Sequence, residues 1–290
     1  MLPLAVHREA LGALALFAHD APRLSSPDHV ALAEALARRL AIALENARLY
    51  RGAEDAVRAR NRFLAVASHE LKTPLTPLRI RINSLERLVA RGALEHVPKE
   101  KLAALFSGAE GQVIRMSRLI DDLLDVTRMS LKRLRLSPEP MDLCKSAAEV
   151  IERHRAEIAE SGCSVRLQAD GPVTGNWDRL RIEQVITNLL TNALKYAARS
   201  AVEVRVETDQ GHARLVVQDA GPGIGDADQE RIFRPFERAT KDPELSGLGL
   251  GLFIVREIVE AHGGALTLRS APGGGSTFVV ELPRVAPARG

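Results

Sequence analysis

Apolar residues recur at alternating spacings of three and four over two long stretches of this 290-residue chain, and this pattern constrains the fold most strongly. The first stretch carries Leu64, Ala67, Leu71, Leu75, Leu78, Ile82, Leu85 and Val89. The second stretch carries Leu102, Leu105, Ala109, Met116, Leu119, Leu123 and Val126, with the polar Gln112 at the remaining position. A period near 3.5 residues is typical of a helix with one apolar face. The pattern predicts an antiparallel helical hairpin closed by a loop at 92–98.

Two helices cannot cover both apolar stripes, whereas four helices can. Each large side chain left in water would forgo roughly 1.5–3 kcal/mol of burial free energy. The sequence therefore predicts that two copies associate into a dimeric four-helix bundle, which makes the protein a homodimer.

A helix that precedes the hairpin also has heptad-like apolar spacing. Its positions are Leu36, Leu40, Ala43, Ala47, Tyr50 and Val57. This spacing favours a parallel coiled coil that leads into the hairpin. A single amphipathic helix packed on its own domain remains an alternative. Ser26 is predicted to cap this helix, with Pro27 in its first turn.

His69 lies outside the apolar stripe of the first hairpin helix. It is two residues from both Ala67 and Leu71, which places it about 200° around the helix from each. The alternative for a lone histidine is a buried core position, but this phase predicts that the side chain is exposed. Glu70 follows directly, and Pro74 comes within the next two turns.

Composition excludes several classes of function. The net charge is only +3 and aromatic residues make up 3%, so a nucleic-acid surface with stacking side chains is not expected. Cys144 and Cys163 form no CxxC pair, which suits a reducing compartment. No apolar run approaches the roughly 18–20 residues of a membrane span. We therefore expect a cytoplasmic location and no membrane span in this chain.

The pattern changes to mixed α and β after a Pro-rich boundary at 136–140. Helices are expected at 143–161, 178–197 and 250–262, and strands at 163–169, 201–208, 212–219, 265–270 and 276–283. This order predicts a mixed sheet with helices on one face, an α/β two-layer sandwich. At the other end of the chain, residues 3–18 predict two short strands joined by a turn at 8–10.

The helix predicted at 178–197 has an unusual polar face. Gln184, Asn188, Asn192 and Lys195 follow one another at spacings of four, four and three. A solvent-exposed face normally uses better helix formers than asparagine. Two aligned amides beside a lysine suggest neutral oxygen ligands for Mg²⁺ and a cation for phosphate. Taken alone, the stripe is equally compatible with an ordinary surface face.

Two glycine-containing segments extend this pattern. Asp219 ends a predicted strand just before Gly221 and Gly223, where its carboxylate could accept a hydrogen bond from an adenine amino group. Taken alone, such an Asp-x-Gly is most often a turn. The segment SGLGLGLFIV opens a helix with glycines that let backbone amides approach phosphate. It has neither the Lys-Ser/Thr of a P-loop nor a dinucleotide fingerprint.

Together these motifs resemble those of the bacterial sensor histidine kinases of two-component signalling. SHELKTPL resembles the phosphoacceptor box, NLLTNALKYA the N box, DAGPGI the first glycine box, RIFRPFER the F box and GLGLGL the second glycine box. The resemblance covers about residues 60–286. It implies a multidomain chain in which the helical hairpin precedes a histidine kinase or GHKL-type ATPase fold.

The resemblance also implies the site residues. His69 would be phosphorylated with Glu70 as the adjacent acid, and ATP would be the phosphoryl donor. Asn188 and Asn192 would hold Mg²⁺ with ATP. The remaining ATP-binding positions would be Lys195, Tyr196, Asp219, Gly221, Gly223, Gly247, Leu248, Gly249 and Gly251. The partner would be the receiver domain of a response regulator.

Thr73 forms Glu70-x-x-Thr73, which resembles the phosphatase element of the same family. The alternative is that Thr73 only precedes Pro74 in a bent helix. Residues 1–50, which end in ALENARLY, resemble the tail of a GAF sensor domain.

The expected domains are a partial GAF-like remnant at 1–35, a coiled-coil helix at 36–62, a phosphotransfer domain at 63–136 and an ATP-binding domain at 137–286. A non-catalytic ATP-binding scaffold and an ATPase of the chaperone or mismatch-repair type remain competing hypotheses. The latter type would not need SHELKTPL on a dimer helix.

Overall fold

The computed structural model describes residues 1–6, 9–17, 27–92, 97–130, 134–169, 171–209, 211–239 and 248–284. The chain divides into two compact units, Met1–Ala65 and Val66–Gly290. Within the described residues, no helix has both the length and the apolar character that a membrane crossing requires.

The first unit is a pair of strands packed on a helix. Strands β1 (Leu2–Val6) and β2 (Glu9–Leu14) are antiparallel, and helix α1 begins at Pro27. Since a two-stranded sheet is marginal alone, it is completed here by a small core in which Leu4 packs with Ala37 and Ala41 of α1.

Glu9 and Ala10 pair with Val6 and Ala5 of β1, so the prediction that these two residues belong to a turn is wrong. The expected cap, Ser26, lies outside the described residues.

The helical hairpin, residues 66–130, begins the second unit. Helix α1 (Pro27–Ala90) and helix α2 (Lys99–Ser130) follow the boundaries expected from the apolar periodicity. Arg81 donates from Nη1 to the carbonyl of Ala104 at 3.1 Å, which fixes one point of the antiparallel register. Pro74 and Pro77 lie inside α1, and the helix continues through both.

The C-terminal domain, residues 134–284, is the α/β sandwich that the sequence predicts. Its helices are α3 (Leu143–Arg153), α4 (Arg155–Ser161), α5 (Arg179–Tyr196), α6 (Asp226–Gln229) and α7 (Gly251–Ala261). Its strands are β3 (Glu139–Asp142), β4 (Ser164–Ala169), β5 (Thr174–Trp177), β6 (Ala201–Asp209), β7 (His212–Asp219), β8 (Ala265–Ser270) and β9 (Ser276–Pro283).

The main sheet of the described residues has five strands in the order β4-β6-β7-β9-β8. β4 is parallel to β6, and the other neighbours are antiparallel. Helices α3, α5 and α7 form the second layer, where α5 contacts both of the others. This mixed sheet with a helical layer confirms the predicted fold class.

Two local features of this domain differ from expectation. The helix expected at 143–161 is interrupted at buried His154, whose ring Nδ1 lies 2.9 Å from the carbonyl of Val150 and so competes with the helical hydrogen bonds. A second, two-stranded sheet of β3 and β5 was not predicted. Pro140 suggested only a boundary there, although proline is tolerated in an edge strand.

Candidate active site

Helix α5 supplies one wall of a pocket of about 610 Å³ in the second unit. The helix is oriented by its apolar face, which is buried throughout: Ile182, Val185, Ile186, Leu189, Leu190, Ala193 and Leu194. Asp178 caps its start by accepting a hydrogen bond from the amide of Arg181 at 3.1 Å. Asn192, Lys195 and Tyr196 consequently line the pocket.

The polar stripe of α5 divides between two roles. Asn188 contacts the start of α7, where its Nδ2 lies 3.5 Å from the carbonyl oxygen of Gly251. Its Oδ1 therefore remains the atom available to a cation or water. Gln184 instead donates to Asp125 of α2 at 2.8 Å, so the first part of the stripe contacts the helical hairpin.

The end of β7 supplies a second wall. Asp219 is only 8% exposed, and its carboxylate accepts a hydrogen bond from the amide of Gly221 at 2.8 Å. Burial raises the pKa of Asp219, while hydrogen bonds from the backbone of Gly221 and Ser276 act in the opposite direction. Gly223 has a φ of 70°, and a Cβ there would collide with the carbonyl oxygen of Ala271. The turn therefore requires glycine.

A third wall comes from Leu248, Gly249, Leu250 and Gly251, which lead into α7. Gly249 has a φ of 67°, and a Cβ there would lie 2.7 Å from the carbonyl oxygen of Glu237. The amide of Phe236 donates to the carbonyl of Gly249 at 3.1 Å, which ties the segment RIFRPFER to these glycines. Gly247 lies outside the described residues.

Cationic side chains converge on this pocket. Burial lowers the pKa of Lys195 to about 8, assisted by the nearby charges of Arg238 and Arg115, while Glu70 acts in the opposite direction. The ammonium group also lies 4.9 Å from the ring centre of Tyr196. A polyanion bound here would relieve the mutual repulsion of these cations.

The pocket also has a wall that sequence reasoning did not predict. Leu119 and Asp122 of α2 line it, although both belong to the helical hairpin. Burial raises the pKa of Asp122 to about 6, helped by the charges of Asp125 and Asp121 and opposed by Arg118. Leu119 belongs to the predicted apolar stripe, and Asp122 follows Asp121 in a short acidic run. Neither pattern predicts that these residues line a pocket.

His69 is exposed on α1, as its phase predicts, with 78% of its side chain accessible. Its Nδ1 lies 3.3 Å from Oε1 of Glu70, whose side chain is 17% exposed. The carboxylate is thus held while the ring projects into solvent. One turn later, the hydroxyl of Thr73 donates to the carbonyl of His69 at 3.1 Å.

Other pocket residues lie within the kinase-like motifs, although they are not among the predicted site residues. Glu237 and Arg238 belong to RIFRPFER, and Thr191 lies inside NLLTNALKYA. Ser276 and Phe278 enter from β9, which pairs with β7 beside Asp219. β9 reaches the pocket only because it pairs with β7, and nothing in the sequence of β9 predicts this position.

Family comparisons agree with this arrangement. The model of the His Kinase A (phospho-acceptor) domain matches residues 59–131. The model of the histidine kinase-, DNA gyrase B-, and HSP90-like ATPase matches residues 177–286. The chain therefore belongs to the histidine kinases, and its C-terminal domain is of the ATP-binding type. Residues 1–58 lie outside both matches, so the GAF-like resemblance stays a prediction.

Individual relatives are similar over most of the chain. Signal transduction histidine-protein kinase/phosphatase MprB of Mycobacterium sp. (strain KMS) is 36% identical over 77% of this chain, which spans 43% of MprB. Full-length ShkA in complex with AMPPNP has a TM-score of 0.56 and 26% identity over 79% of this chain and 47% of ShkA.

The histidine kinase ThkA in complex with the response regulator protein TrrA has a TM-score of 0.57 and is 23% identical. The match covers 84% of this chain and 67% of that chain. This likeness establishes the fold.

Proposed function

We propose that this chain transfers the γ-phosphoryl group of ATP to His69 and then to an aspartate of a response regulator. One observation carries the proposal: the pocket of the C-terminal domain is walled by α2 of the same hairpin that displays His69. A free-standing ATPase would not need to share its pocket with a hairpin that displays a histidine. The similarity to MprB, a signal transduction histidine-protein kinase/phosphatase, supports the same function, and ThkA forms a complex with a response regulator protein.

In this proposal Glu70 sets the chemistry of His69. The Nδ1–H group of the neutral imidazole donates to the Glu70 carboxylate, whose oxygen lies 3.3 Å away. The lone pair of Nε2 is then free to attack phosphorus. An Nε2–P bond forms while the bond from the γ-phosphorus to the bridging oxygen breaks, and ADP leaves with that electron pair.

The C-terminal domain would hold the nucleotide through its three walls. Asp219 would accept a hydrogen bond from the adenine amino group, with Tyr196 beside the base. Lys195 would contact phosphate, since its desolvated ammonium group gains most from a nearby anion. Gly221 and Gly223 would shape the adenine end, while Gly247, Leu248, Gly249 and Gly251 would shape the lid over the phosphates.

We further propose Mg²⁺ as the cofactor, held by Asn188 and Asn192. Among the described residues, no group of three or more His, Cys, Asp or Glu side chains could hold a metal. Amide oxygens fit Mg²⁺, because this ion keeps several waters and takes further ligands from the substrate phosphates. When bound, Mg²⁺ would neutralise phosphate charge during transfer.

The hairpin supports a homodimer. On α1, Leu75, Ile82 and Val89 repeat every seven residues and stay exposed, whereas Leu71, Leu78 and Leu85 are half-buried. On α2, an exposed stripe is formed by Phe106, Val113 and Ile120. Heptad stripes on both helices match a four-helix bundle with a second copy. The coiled coil would include the exposed Leu36, Leu40, Tyr50 and Val57.

The domain plan belongs to the same proposal. Residues 63–136 would form the dimerisation and phosphotransfer domain, and 137–286 the ATP-binding domain. Residues 36–62 would form the signalling coiled coil, after a GAF-like remnant at 1–35.

Thr73 supports a phosphatase activity toward the phosphorylated response regulator. Its proton is used on the carbonyl of His69, so its oxygen lone pairs remain free to accept a hydrogen bond from water. A water held in this way could lie in line with the phosphoryl group of a docked regulator.

The experiment for the kinase function is incubation of the dimeric chain with γ-labelled ATP and Mg²⁺, followed by exposure of the labelled protein to acid and to base. We expect protein-bound label that survives base and is lost in acid, as a phosphoramidate should be. ATP hydrolysis without protein-bound label would favour the chaperone-type ATPase. Nucleotide binding without hydrolysis or label would favour the non-catalytic scaffold.

A further inference from the structure

A buried charge pair joins the helical hairpin to the C-terminal domain. Arg181 of α5 donates from Nη1 to Oδ2 of Asp125 on α2 at 2.7 Å, and the two side chains are only 15% and 10% exposed. Gln184 donates to the same oxygen at 2.8 Å, and its own Oε1 accepts from Arg181 at 2.8 Å. Asp125, Arg181 and Gln184, here termed the clasp, thus satisfy one another away from water.

Burial distinguishes the clasp from other ion pairs of the same surface. Arg118 of α2 and Glu157 of α4 also meet at 3.2 Å, but their side chains are 65% and 41% exposed. Exposed pairs of this kind contribute little. A buried, hydrogen-bonded pair fixes one geometry, because removing either partner leaves the other charge desolvated and unpaired. The clasp therefore selects one docked position of the C-terminal domain.

The clasp is also tied to the segment between the two domains. Asp178, the cap of α5, accepts hydrogen bonds from the amides of Arg181 and Ser137 at 3.1 and 2.9 Å. The amide of Asp178 donates to Nε2 of buried His262 at the end of α7. The position of Arg181 is consequently fixed relative to both the linker after α2 and the helical layer.

The docked position brings the pocket to the level of the phosphoacceptor. Leu119 and Asp122 precede Asp125 on one face of α2 and line the pocket. Counting from the contact of Arg81 with Ala104 in the antiparallel hairpin, His69 lies opposite about residue 116, within one helical turn of Leu119. The electrostatic influence of Glu70 on Lys195 within the same chain agrees with this placement.

We propose that the clasp holds the C-terminal domain on the hairpin of its own chain, in the position from which His69 of that same chain is phosphorylated. Asp125, Arg181 and Gln184 are positioning residues, since they act through the placement of the pocket and do not touch the reacting atoms. This inference rests on the proposed function, and it adds that phosphoryl transfer occurs within a subunit.

The first test separates positioning from nucleotide binding and folding. Arg181→Ala and Asp125→Ala should each lower the rate of His69 labelling at saturating ATP by roughly tenfold or more, with a KM for ATP within about twofold of the parent. The double variant should be no slower than the slower single variant, because the two residues act as one unit. Thermal unfolding confirms that each variant is folded.

Arg179→Ala is the matched control. It removes an arginine two residues away on the same helix, whose partners Glu149 and Glu183 both lie in the C-terminal domain. Its labelling rate should stay near that of the parent. Unchanged or increased rates in the clasp variants, or rate losses that multiply in the double variant, would overturn the clasp.

The second test uses mixed dimers of two defective chains. One chain carries His69→Gln with an intact pocket, and the other carries Asn192→Ala with an intact His69. Transfer within a subunit predicts that this heterodimer carries no more label than the Asn192→Ala homodimer at the same ATP concentration, because the chain with the intact pocket lacks His69. Label on the Asn192→Ala chain above that of its own homodimer would show transfer across the dimer and refute the inference.

A positive control keeps the two proposals distinguishable. When the parent chain is mixed with an Asn192→Ala chain of different mass, the parent chain should carry its full label, and the Asn192→Ala chain should carry no more than it does as a homodimer. If the parent homodimer itself takes up no label, the proposed kinase function fails, and the clasp fails with it. If the parent labels normally and the mixed dimer labels in trans, only the clasp inference fails.

Discussion

The C-terminal domain and the helical hairpin bury their apolar residues to different extents within one chain. Val185, Leu190 and Ile254 of the C-terminal domain are completely buried. In the hairpin, Leu75, Ile82 and Val89 stay 44%, 44% and 60% exposed. The C-terminal domain therefore has a complete apolar core, which needs no second copy of the chain. The hairpin has half of a core, which a second copy would complete.

Because of this difference, the two halves of the proposed reaction should depend on different contacts. Nucleotide binding depends on contacts formed within one chain, so it should not change with protein concentration. The phosphoacceptor helix depends on the assembly that covers its stripe. Substitutions that damage one half and spare the other can therefore separate them.

Ile82→Asp should break the dimer and spare the pocket. Each copy would place a carboxylate on the predicted bundle core, and burying an unpaired charge costs several kcal/mol, so dimer affinity should fall by about a thousandfold or more. Sedimentation of the full chain at micromolar concentration would measure this loss. A variant that remains a dimer of parental affinity would place the interface elsewhere.

Asn192→Ala should have the opposite effect: it should weaken nucleotide binding and leave the dimer intact. Loss of a hydrogen-bonding group next to a charged ligand costs roughly 1.5–3 kcal/mol, which corresponds to about a 10- to 140-fold loss of Mg-ATP affinity. Asp219→Asn should weaken the binding of adenine nucleotides more than the binding of guanine nucleotides. Calorimetry would measure both, with sedimentation as the control for assembly. Unchanged affinity in both variants would exclude this pocket as the ATP site.

Thr73→Ala tests the hairpin in the reverse reaction. The variant should keep autophosphorylation of His69 and slow the dephosphorylation of a cognate phosphorylated regulator by about tenfold, because a positioned water is lost. The lifetime of the phosphorylated regulator with each protein is the measurement. Equal lifetimes would leave Thr73 with only the hydrogen bond to the carbonyl of His69.

The pH dependence of ATP use should report Lys195. Its pKa of about 8 means that the cation is present below pH 8 and is lost as the pH rises through that value. Between pH 7.5 and 8.5 the charged fraction falls roughly threefold, and kcat/KM for ATP should fall with it. Lys195→Arg, which stays charged, should flatten the profile. A steep profile in that variant would assign the titration to another group.

The C-terminal domain was more predictable from sequence than the hairpin surface. Strand β7 was predicted as 212–219, and the apolar face of α5 is buried as predicted, because period and core burial agree there. Asn192, Lys195, Tyr196 and Asp219 meet in one pocket. The helix and the strand that contain these residues form as their motifs predict.

Contacts between distant segments could not be predicted in the same way. Gln184 belonged to the polar stripe of α5, but its partner is Asp125, which is 59 residues away in the chain. Asp122 likewise lines the pocket through a contact between segments that are distant in the chain. Spacing along a helix identifies a shared face, whereas the partner of that face depends on tertiary packing. His154 shows a local limit too, since nothing in its spacing signals the break between α3 and α4.

The most direct test of the account compares His69→Gln with the parent chain under γ-labelled ATP. Dimer affinity and Mg-ATP affinity are measured in parallel, because both halves of the molecule should survive this exposed substitution. The account predicts complete loss of the acid-labile label with both affinities unchanged. Undiminished acid-labile label on the His69→Gln protein would contradict it.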